Sequence, residues 1–405
     1  MSKNKRRKTY DTLLNGITYF ASSISFITLL AILIFIFGKG YKLLNIDLIA
    51  ENFESQGYVA DLYDYARLCN CESDIAFDEG VYYSSKWGIA LADQIDLLGK
   101  NVIQIIYVNP KSPLFEIRDK GIGNEPIELR DEYHIIRIAF DNYPTALSRY
   151  GAENMINYLN ANDELREIEF QTKGGGIKGS IITTLYLIAL TLIIALPIGI
   201  GAAIYLNEYA PNNKFTKFLR SLIETLTGVP SIIYGLMGLA IFVPITTKLT
   251  NATGGNIISG AMTLAVILLP VIIRTTEESL KVIPDDYRQA SLALGASKTQ
   301  TTFKVVLPSS VPGILTATLL AIGRIIGESA ALVFAIGTSI KDQVSLTGKS
   351  TSLAVHIWAM MTDEPANIEL SATIAIIIVL IVVILNILIK LISSRYLKRK
   401  LGISI

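Results

Sequence analysis

The sequence predicts an α-helical polytopic membrane protein of six transmembrane helices, with an α+β extracytoplasmic domain inserted between helices 1 and 2. Three observations predict it. The 405 residues are 51% hydrophobic and only 18% charged, with a mean hydropathy of +0.45, far more apolar than a soluble chain of this length. Six separated segments come close to the ~20 apolar residues that a bilayer core requires. Residues 38–178 contain no run of that kind and are rich in Asp, Glu and Tyr.

The first apolar segment, Ile17–Phe37, follows the basic run Lys3, Lys5, Arg6, Arg7 and Lys8 and ends without a small-residue cleavage site. It reads as an uncleaved signal anchor rather than a removable leader. Residues 1–37 are therefore assigned to a basic cytoplasmic N-terminus and helix 1. Positive charge orients the rest. The inner loops carry Lys214, Lys217 and Arg220, then Arg274, Lys281, Arg288, Lys298 and Lys304, and the tail carries Arg395, Lys398, Arg399 and Lys400. The two short outer loops, 246–256 and 338–370, hold only Lys248, Lys341 and Lys349. Both termini are thereby expected in the cytoplasm of a multi-pass cell-membrane protein.

Residues 38–178 are expected outside as a small α+β domain. Val102–Val108 and Tyr133–Ala139 read as buried strands, and Glu153–Leu159 with the run to Ile168 reads as helix. Its net acidity argues against nucleic acid or anionic lipid as its partner. Lys173-Gly174-Gly175-Gly176 reads as a flexible joint back to the membrane. The membrane core, 179–393, is expected to hold spans Ile181–Tyr205, Leu226–Pro244, Ile257–Ile273, Ile314–Ile336 and Ala372–Ile392, with a polar loop at 274–312 and a cytoplasmic tail at 394–405.

Enzymatic motifs are missing. Val344–Ser350 resembles the tail of a P-loop, but Gln343 stands where the first glycine should and no buried strand precedes it. Neither HExxH nor a nucleophile elbow occurs. Cys69 and Cys71 are too few for a disulfide framework or a zinc site and read as an unreactive pair or a single bridge. His134 and His356 are isolated in sequence and receive no role. No metal and no cofactor are expected on this chain.

Charge inside the spans is more informative. Arg324 and Glu328 lie four residues apart in Gly323-Arg324-Ile325-Ile326-Gly327-Glu328-Ser329, a spacing that places them on one face of a continuous helix. An ionised side chain at membrane depth must pair or face water, so the pair reads either as part of an anion path or as an ion pair locking helices together. Gly323 and Gly327 would allow close helix approach. In Gly228–Gly235, Pro230 suits a first helical turn and Ser231 could offer its hydroxyl to an oxyanion; a kinked helix entry is the plainer reading. Arg274, ending the fourth span, is a secondary path candidate, and Glu224 a weaker one.

The loop between spans four and five has its own pattern. Ile283-Pro284 interrupts one helix, Asp285 and Asp286 can cap the next, Gly295 stops it, and Ser297 can cap a second short helix over Lys298–Val306, closed by Leu307-Pro308. Leu292, Leu294 and Phe303 on this polar loop suggest a surface covered by another protein.

At these residues the chain resembles the permeases of ABC importers, whose cytoplasmic signature runs from an EAA triplet through a glycine to Ile-x-Leu-Pro. Gln289, Ala290, Ser291, Gly295, Val305, Leu307 and Pro308 stand at the corresponding spacing, with Gln289 and Ser291 departing from the triplet. The resemblance is more specific to the PstA kind of phosphate-transporter permease, through TLYLIALTLIIALPIGIGAAIYLNEYAP, GVPSIIYGLMGLAIFV, LLPVIIRTTEESLKVIP and TLLAIGRIIGESAAL. It covers Ile181–Leu391 and leaves 38–178 unexplained. It implies the type I importer permease (MetI-like) fold and a loop at 289–308 that docks on a separate ATPase. It also implies a heterodimer with a PstC-like sister permease, a PstB-like ATPase dimer carrying the ATP, and a PstS-like phosphate-binding protein. Arg324, Glu328, Ser231 and Arg274 become the expected substrate-path residues. Import of another oxyanion (molybdate or sulfate), or a membrane-anchored sensor or scaffold built on the outer domain, remain the alternatives.

Overall fold

The computed structural model describes residues 3–55, 57–62, 69, 71, 76–96, 99–120, 126–362 and 366–401; the last expected tail residues, 402–405, lie outside them. Among the described residues six helical segments are long and apolar enough to span a membrane: Tyr10–Leu43, Lys178–Tyr209, Ser231–Thr250, Ile257–Lys281, Lys298–Gly327 and Ile368–Arg395. Helix α1 (Lys3–Gly40) leads into a short α2 (Ile46–Ala50) and then into a sheet domain.

The sheet is antiparallel and nine-stranded among the described residues: β1 (Gly57–Leu62), β2 (Val81–Ser84), β3 (Ile89–Ile95), β4 (Asn101–Val108), β5 (Glu116–Asp119), β6 (Pro126–Glu128), β7 (His134–Ala139), β8 (Ala146–Leu147) and β9 (Glu167–Gln171). Its order is β2-β3-β4-β7-β9-β1-β5-β6, with β8 beside β7. The expected strands over 102–108 and 133–139 are β4 and β7. Alternation places Ile103 and Ile105 of β4 with Ile168 and Phe170 of β9 in one core, and Val108 joins it beyond a register shift in the β3–β4 pairing. Helix α3 (Ala152–Ala161) covers that core with Met155, Ile156 and Leu159, and the buried Trp87 indole donates from Nε1 to the Leu159 carbonyl at 2.7 Å. Arg118 grips the buried Asp61 carboxylate through two bonds of 2.8 Å, which hold that carboxyl below its ordinary range. Cys69 and Cys71 are joined as a disulfide.

One expectation fails here. The helical run does not reach Ile168: α3 ends at Ala161, and residues 167–171 form β9 between β7 and β1. Ile168 and Phe170 are buried with half-buried neighbours between and beside them, a period of two that only a strand can satisfy.

The glycine joint is not flexible either. The Gly175, Gly176 and Ile177 N–H groups donate to the Phe53, Asn52 and Leu48 carbonyls at 3.0, 3.0 and 2.9 Å. A Cβ on Gly176 would sit 2.1 Å from the Glu51 carbonyl oxygen, so the glycine allows backbones to touch rather than to move.

In the bundle, α4 (Lys178–Ile204) continues through a π-helical turn, Tyr205–Tyr209, and α5 (Lys214–Leu226) follows as a separate amphipathic helix. The third span starts at Ser231, later than expected, as α6 (Ser231–Met237), a π turn Gly238–Phe242 and α7 (Val243–Thr250). Pro230 is its N-cap residue, with φ −56° and ψ 136°, just outside the first turn. Helix α8 (Ile257–Lys281) is the most enclosed span, started by a buried Asn256–Ser259 capping box. Small residues set its neighbours' distance: a Cβ on Gly199 would meet Ile272 at 2.6 Å, and one on Gly238 would meet Thr263 at 2.3 Å.

The loop that follows holds α9 (Asp285–Ala293) and α10 (Lys298–Thr301), and α10 runs on through a π turn, Thr302–Val306, into α11 (Leu307–Gly327). Leu307-Pro308 therefore does not close the loop. Pro308 sits in the first turn where the register returns from π to α, a place that tolerates its missing N–H. Beyond α11 come α12 (Ala330–Ala335), α13 (Leu353–Thr362) and the last span, α14 (Ile368–Leu401). The fifth span is thus displaced toward the loop and ends at Gly327 instead of crossing to Ile336. The 338–370 connection is also no open loop: Ser350, Thr351, Ser352 and His356 are buried in it. Val344–Ser350, the P-loop-like run, is a turn that no strand precedes; α13 starts only at Leu353.

Gly176→Ala should lower the apparent melting temperature of the detergent-purified chain, by a cost of about 1–3 kcal/mol for forcing the backbones apart. Gly57→Ala, where a Cβ meets nothing within 4 Å, is the control; equal melting of the two would show that the joint bears no load. A second prediction concerns His134, which is buried at the start of β7 between β4 and β9 and whose imidazole is held below its ordinary value by desolvation. The unfolded chain then takes up the proton first, so the domain keeps full stability above about pH 6.5 and loses it as the pH falls toward the folded value. Emission of Trp87 in a Trp358→Phe background should report melting that drops over this window and flattens in His134→Gln.

Candidate functional site

Arg324 and Glu328 do not share a helix face. The backbone leaves the helix at Glu328 (φ −79°, ψ 114°), and among the described residues no ion pair joins it to Arg324. Its Oε1 instead accepts from the Ala331 N–H at 3.3 Å, capping α12. The i, i+4 argument presumes an unbroken helix, and the break removes the premise. What the break creates is an acid and a base beside a discontinuity, with an N-terminus of new helix behind it.

Helix α6 packs on this break. A Cβ on Gly235 would stand 2.7 Å from the Ala331 Cα, so α6 and α12 lie backbone to backbone. Tyr234, next along, has its hydroxyl within electrostatic range of Arg324 and donates to the Leu226 carbonyl at 2.9 Å. Ser231 opens the same helix and is half-buried. The outward stripe of α11, Thr316, Leu320, Gly323 and Gly327, is exposed, and a Cβ on either glycine would meet nothing within 4 Å. Gly323 and Gly327 therefore do not serve close packing within this chain, contrary to expectation; they leave an open face beside Arg324.

Arg274 lies in a different group. Its Nε donates to Glu278 and its Nη1 to Glu224, both at 3.1 Å, over a cleft of ≈ 210 Å³ lined also by Arg220, Glu277 and Lys281. Arg220 pairs with Glu277 at 2.8 Å and donates to the Leu206 carbonyl at 2.7 Å, tying α5 to α8 and to the end of α4. Glu224, weakest of the sequence candidates, is thus the partner of Arg274.

The loop between the fourth and fifth spans forms a defined knob. Asp285 and Asp286 occupy the first turn of α9, where their charge favours the helix dipole, while Pro284 takes the cap position. At the other end the Gly295 N–H donates to Leu292 and the Ala296 N–H to Ser291, with Gly295 at φ +87°, a Schellman ending. At the start of α10 the Ser297 hydroxyl accepts from the Gln300 N–H at 3.2 Å and the Gln300 side-chain carbonyl accepts from the Ser297 N–H at 2.8 Å, and the Ser291 and Thr301 hydroxyls meet at 2.9 Å across the turn. Gln289, Ala290 and Gly295 lie on the exposed surface, Leu307 and Pro308 at its half-buried base. Leu294 is 90% exposed, and Tyr287, Leu292 and Phe303 are exposed near it.

Sequence reasoning missed the residue that anchors this knob. Arg288 donates to the nearly buried Glu208 carboxylate at 2.9 and 3.3 Å, to Asp285 at 3.2 Å, and to the Leu280 and Ile283 carbonyls at 3.0 and 2.8 Å. The Glu208 bond raises the guanidinium above its ordinary value. Lys298 adds its ammonium over the Tyr209 ring at 5.3 Å. The signal was an acidic residue, Glu208, at the very end of an apolar span, where a partner is obligatory. Among the described residues no cluster of His, Cys, Asp and Glu could hold a metal ion.

Comparison with known proteins follows this geometry. The sequence model of the family described as "Binding-protein-dependent transport system inner membrane component" matches residues 195–398, leaving 38–178 outside the match. A probable ABC transporter permease protein, YqgI of Bacillus subtilis, is 40% identical over 202 residues, covering 47% of this chain and 67% of that one. The phosphate transport system permease protein PstA of Yersinia pestis is 35% identical over 228 residues, 55% of this chain and 74% of that one. Among solved structures, an inward-facing MetNI methionine ABC transporter superposes with a TM-score of 0.42 at 21% identity, over 55% of this chain and 94% of that one. The matched half and the extent of the PstA alignment place the chain in a family: it belongs to the binding-protein-dependent transport system inner membrane components, as a PstA-like permease subunit of an ABC importer whose ATPase is a separate chain.

Proposed function

We propose that this permease forms, with a PstC-like sister subunit, the transmembrane path for inorganic phosphate, with both of its termini and the α9–α10 knob in the cytoplasm and residues 38–178 outside. The observation that carries the reading is the placement of Arg324 beside an open, glycine-lined face and a helix break. A phosphate ion that sheds water in the membrane needs charge compensation and forked donors, and guanidinium offers both. A second subunit laid against Gly323 and Gly327 would enclose Arg324 without pairing it permanently, which suits a site that must also release. Glu328, by fixing the break, positions α12 behind that path, and Ser231 adds a hydroxyl from the packed α6. Relatives described as phosphate permeases support the substrate assignment.

Coupling follows from one continuous lever. The helix from Lys298 to Gly327 spans 30 residues, roughly 45 Å at ordinary helical rise. It carries the knob at one end and Arg324 near the other. The Arg288–Glu208 lock makes the knob move with the end of α4. Closure of a PstB-like ATPase dimer on the exposed Gln289–Gly295 surface would then tilt two spans together and bias the path between outward and inward access. A PstS-like binding protein would deliver phosphate at the opposite face. ATP stays on the partner; this chain holds no cofactor in the mechanism. Arg274, held between Glu224 and Glu278, is proposed as an exit-side residue of the same path.

Two measurements test these assignments in reconstituted importer. Arg324→Gln, with assembly and ATP hydrolysis verified, should reduce uptake of radiolabelled phosphate at least as much as the ~10- to 100-fold expected for loss of a charged, desolvated contact. Wild-type uptake would reject the path, and uptake of molybdate or sulfate in place of phosphate by the unaltered importer would reassign the substrate. Gly295→Val should strain the left-handed position by about 1–2 kcal/mol and lower ATP-driven uptake while leaving substrate capture by the binding protein unchanged; full coupling would show that the knob does not need its Schellman turn.

A further inference from the structure

A third segment, from the bundle, grips the inserted outer domain where its two chain connections meet: Phe53 and Glu54 stand between α2 and β1, and the Phe53 carbonyl already accepts from the Gly175 N–H of the return connection. Asp342, in the segment after α12, accepts from the Phe53 N–H at 2.7 Å and from the Glu54 N–H at 2.8 Å, one carboxylate oxygen to each. Lys341 pairs with the Glu54 carboxylate beside it. Behind this clasp the backbone lies tight against the start of the second span: a Cβ on Gly179 would stand 2.2 Å from the Lys341 carbonyl oxygen. The Phe53 ring meets the edge of the His356 ring at 5.1 Å, and the fully buried His356 holds Ser180 of α4 through Nδ1 at 2.9 Å. Chain order gives the clasp its meaning. Between the Glu328 break and Asp342 there is only α12 and a turn at Gly337, which has φ +98°.

We propose that Asp342 is a positioning residue that transmits force between the inserted outer domain and the Glu328 break, so that a binding protein docking outside biases the path helix inside. The two charge-assisted bonds are directional and grip backbone, so any displacement of the clamped seam between the two connections must pull residues 337–342 with it. That segment in turn moves α12, which lies backbone to backbone on α6 and is capped by Glu328. The inference rests on the importer reading and not on phosphate being the substrate. A clasp that merely staples the domain would affect stability alone, and this is the alternative that the experiment separates.

The test uses the full importer in proteoliposomes, comparing the unaltered chain with Asp342→Ala/Glu54→Gln. Nitroxide labels at two exposed positions, Ile95→Cys on the outer domain and Leu346→Cys beyond the clasp, are read by pulsed electron resonance in a background lacking Cys69 and Cys71. The distance distribution should be narrow in the unaltered chain and broad in the double variant; equal widths overturn the proposal. Basal ATP hydrolysis should be unchanged, while its stimulation by binding protein loaded with inorganic phosphate should fall by about tenfold, a coupling of ordinary allosteric size. Basal and stimulated rates falling together would mark the clasp as a staple and overturn transmission. A cross-link through Glu54→Cys and Lys341→Cys should restore stimulation, and its failure to do so counts equally against the proposal. If even the unaltered importer is not stimulated by phosphate-loaded protein, the substrate assignment fails, and the label distances still decide the clasp.

Discussion

Hydrocarbon offers a backbone no water, so each N–H and C=O at membrane depth must find its partner within the chain. Most features of the bundle follow from this. The spans are helices, and their irregular points are repaired locally. Where α11 ends, the Glu328 side chain meets an N–H of α12. Where α8 begins, Asn256 and Ser259 exchange bonds. Three π turns absorb changes of register at Tyr205–Tyr209, Gly238–Phe242 and Thr302–Val306 without leaving the helical path. The break at Glu328 is consequently a controlled defect, the one place in the fifth span where a charged side chain, a fresh helix start and an open face coincide.

The same scarcity of water makes close approach the main adhesive. Gly235 brings α6 and α12 to backbone contact, Gly199 and Gly238 seat the Ile272 and Thr263 side chains of α8, and Gly176 and Gly179 bring the chain against the Glu51 and Lys341 carbonyls near the seam with the sheet domain. Serine, threonine and histidine side chains then fill the remaining polar needs near the sheet-domain end, as in the Ser180–His356 and Thr184–Leu353 bonds. An acidic sheet domain with its own core is thereby built onto an apolar bundle through a seam made largely of backbone.

At the opposite end charge takes over. Glu208 ends one span, Arg288 starts the knob, and Arg220 bridges α5 to α8 and to the last turn of α4. These groups lie at the border of water, where an ion pair keeps its strength without the full penalty of burial. The knob is thus stiff toward the bundle and apolar toward the outside, with Leu294 its most exposed large side chain. Such a surface is consistent with the separate ATPase that the family implies.

Apolar run length, the distribution of lysine and arginine, and the motifs around Gln289–Pro308 and Arg324 made six spans, an inserted domain and an importer permease legible without coordinates. These are local or compositional properties, and the membrane's thickness converts them directly into structure. Gly295 and Ser297 were equally legible, because a helix stop and a helix cap are decided within a few residues. Tertiary structure decided the rest. It separated Arg324 from Glu328, since helix continuity depends on α6 packing against α12. It made residues 167–171 a strand, since β7 and β1 stand ready on either side. It turned a glycine run into a clamped seam and joined Glu208 to Arg288 and Asp342 to Phe53 and Glu54. Each of those outcomes needs a partner far away in sequence, and a linear pattern carries no record of which distant groups will meet.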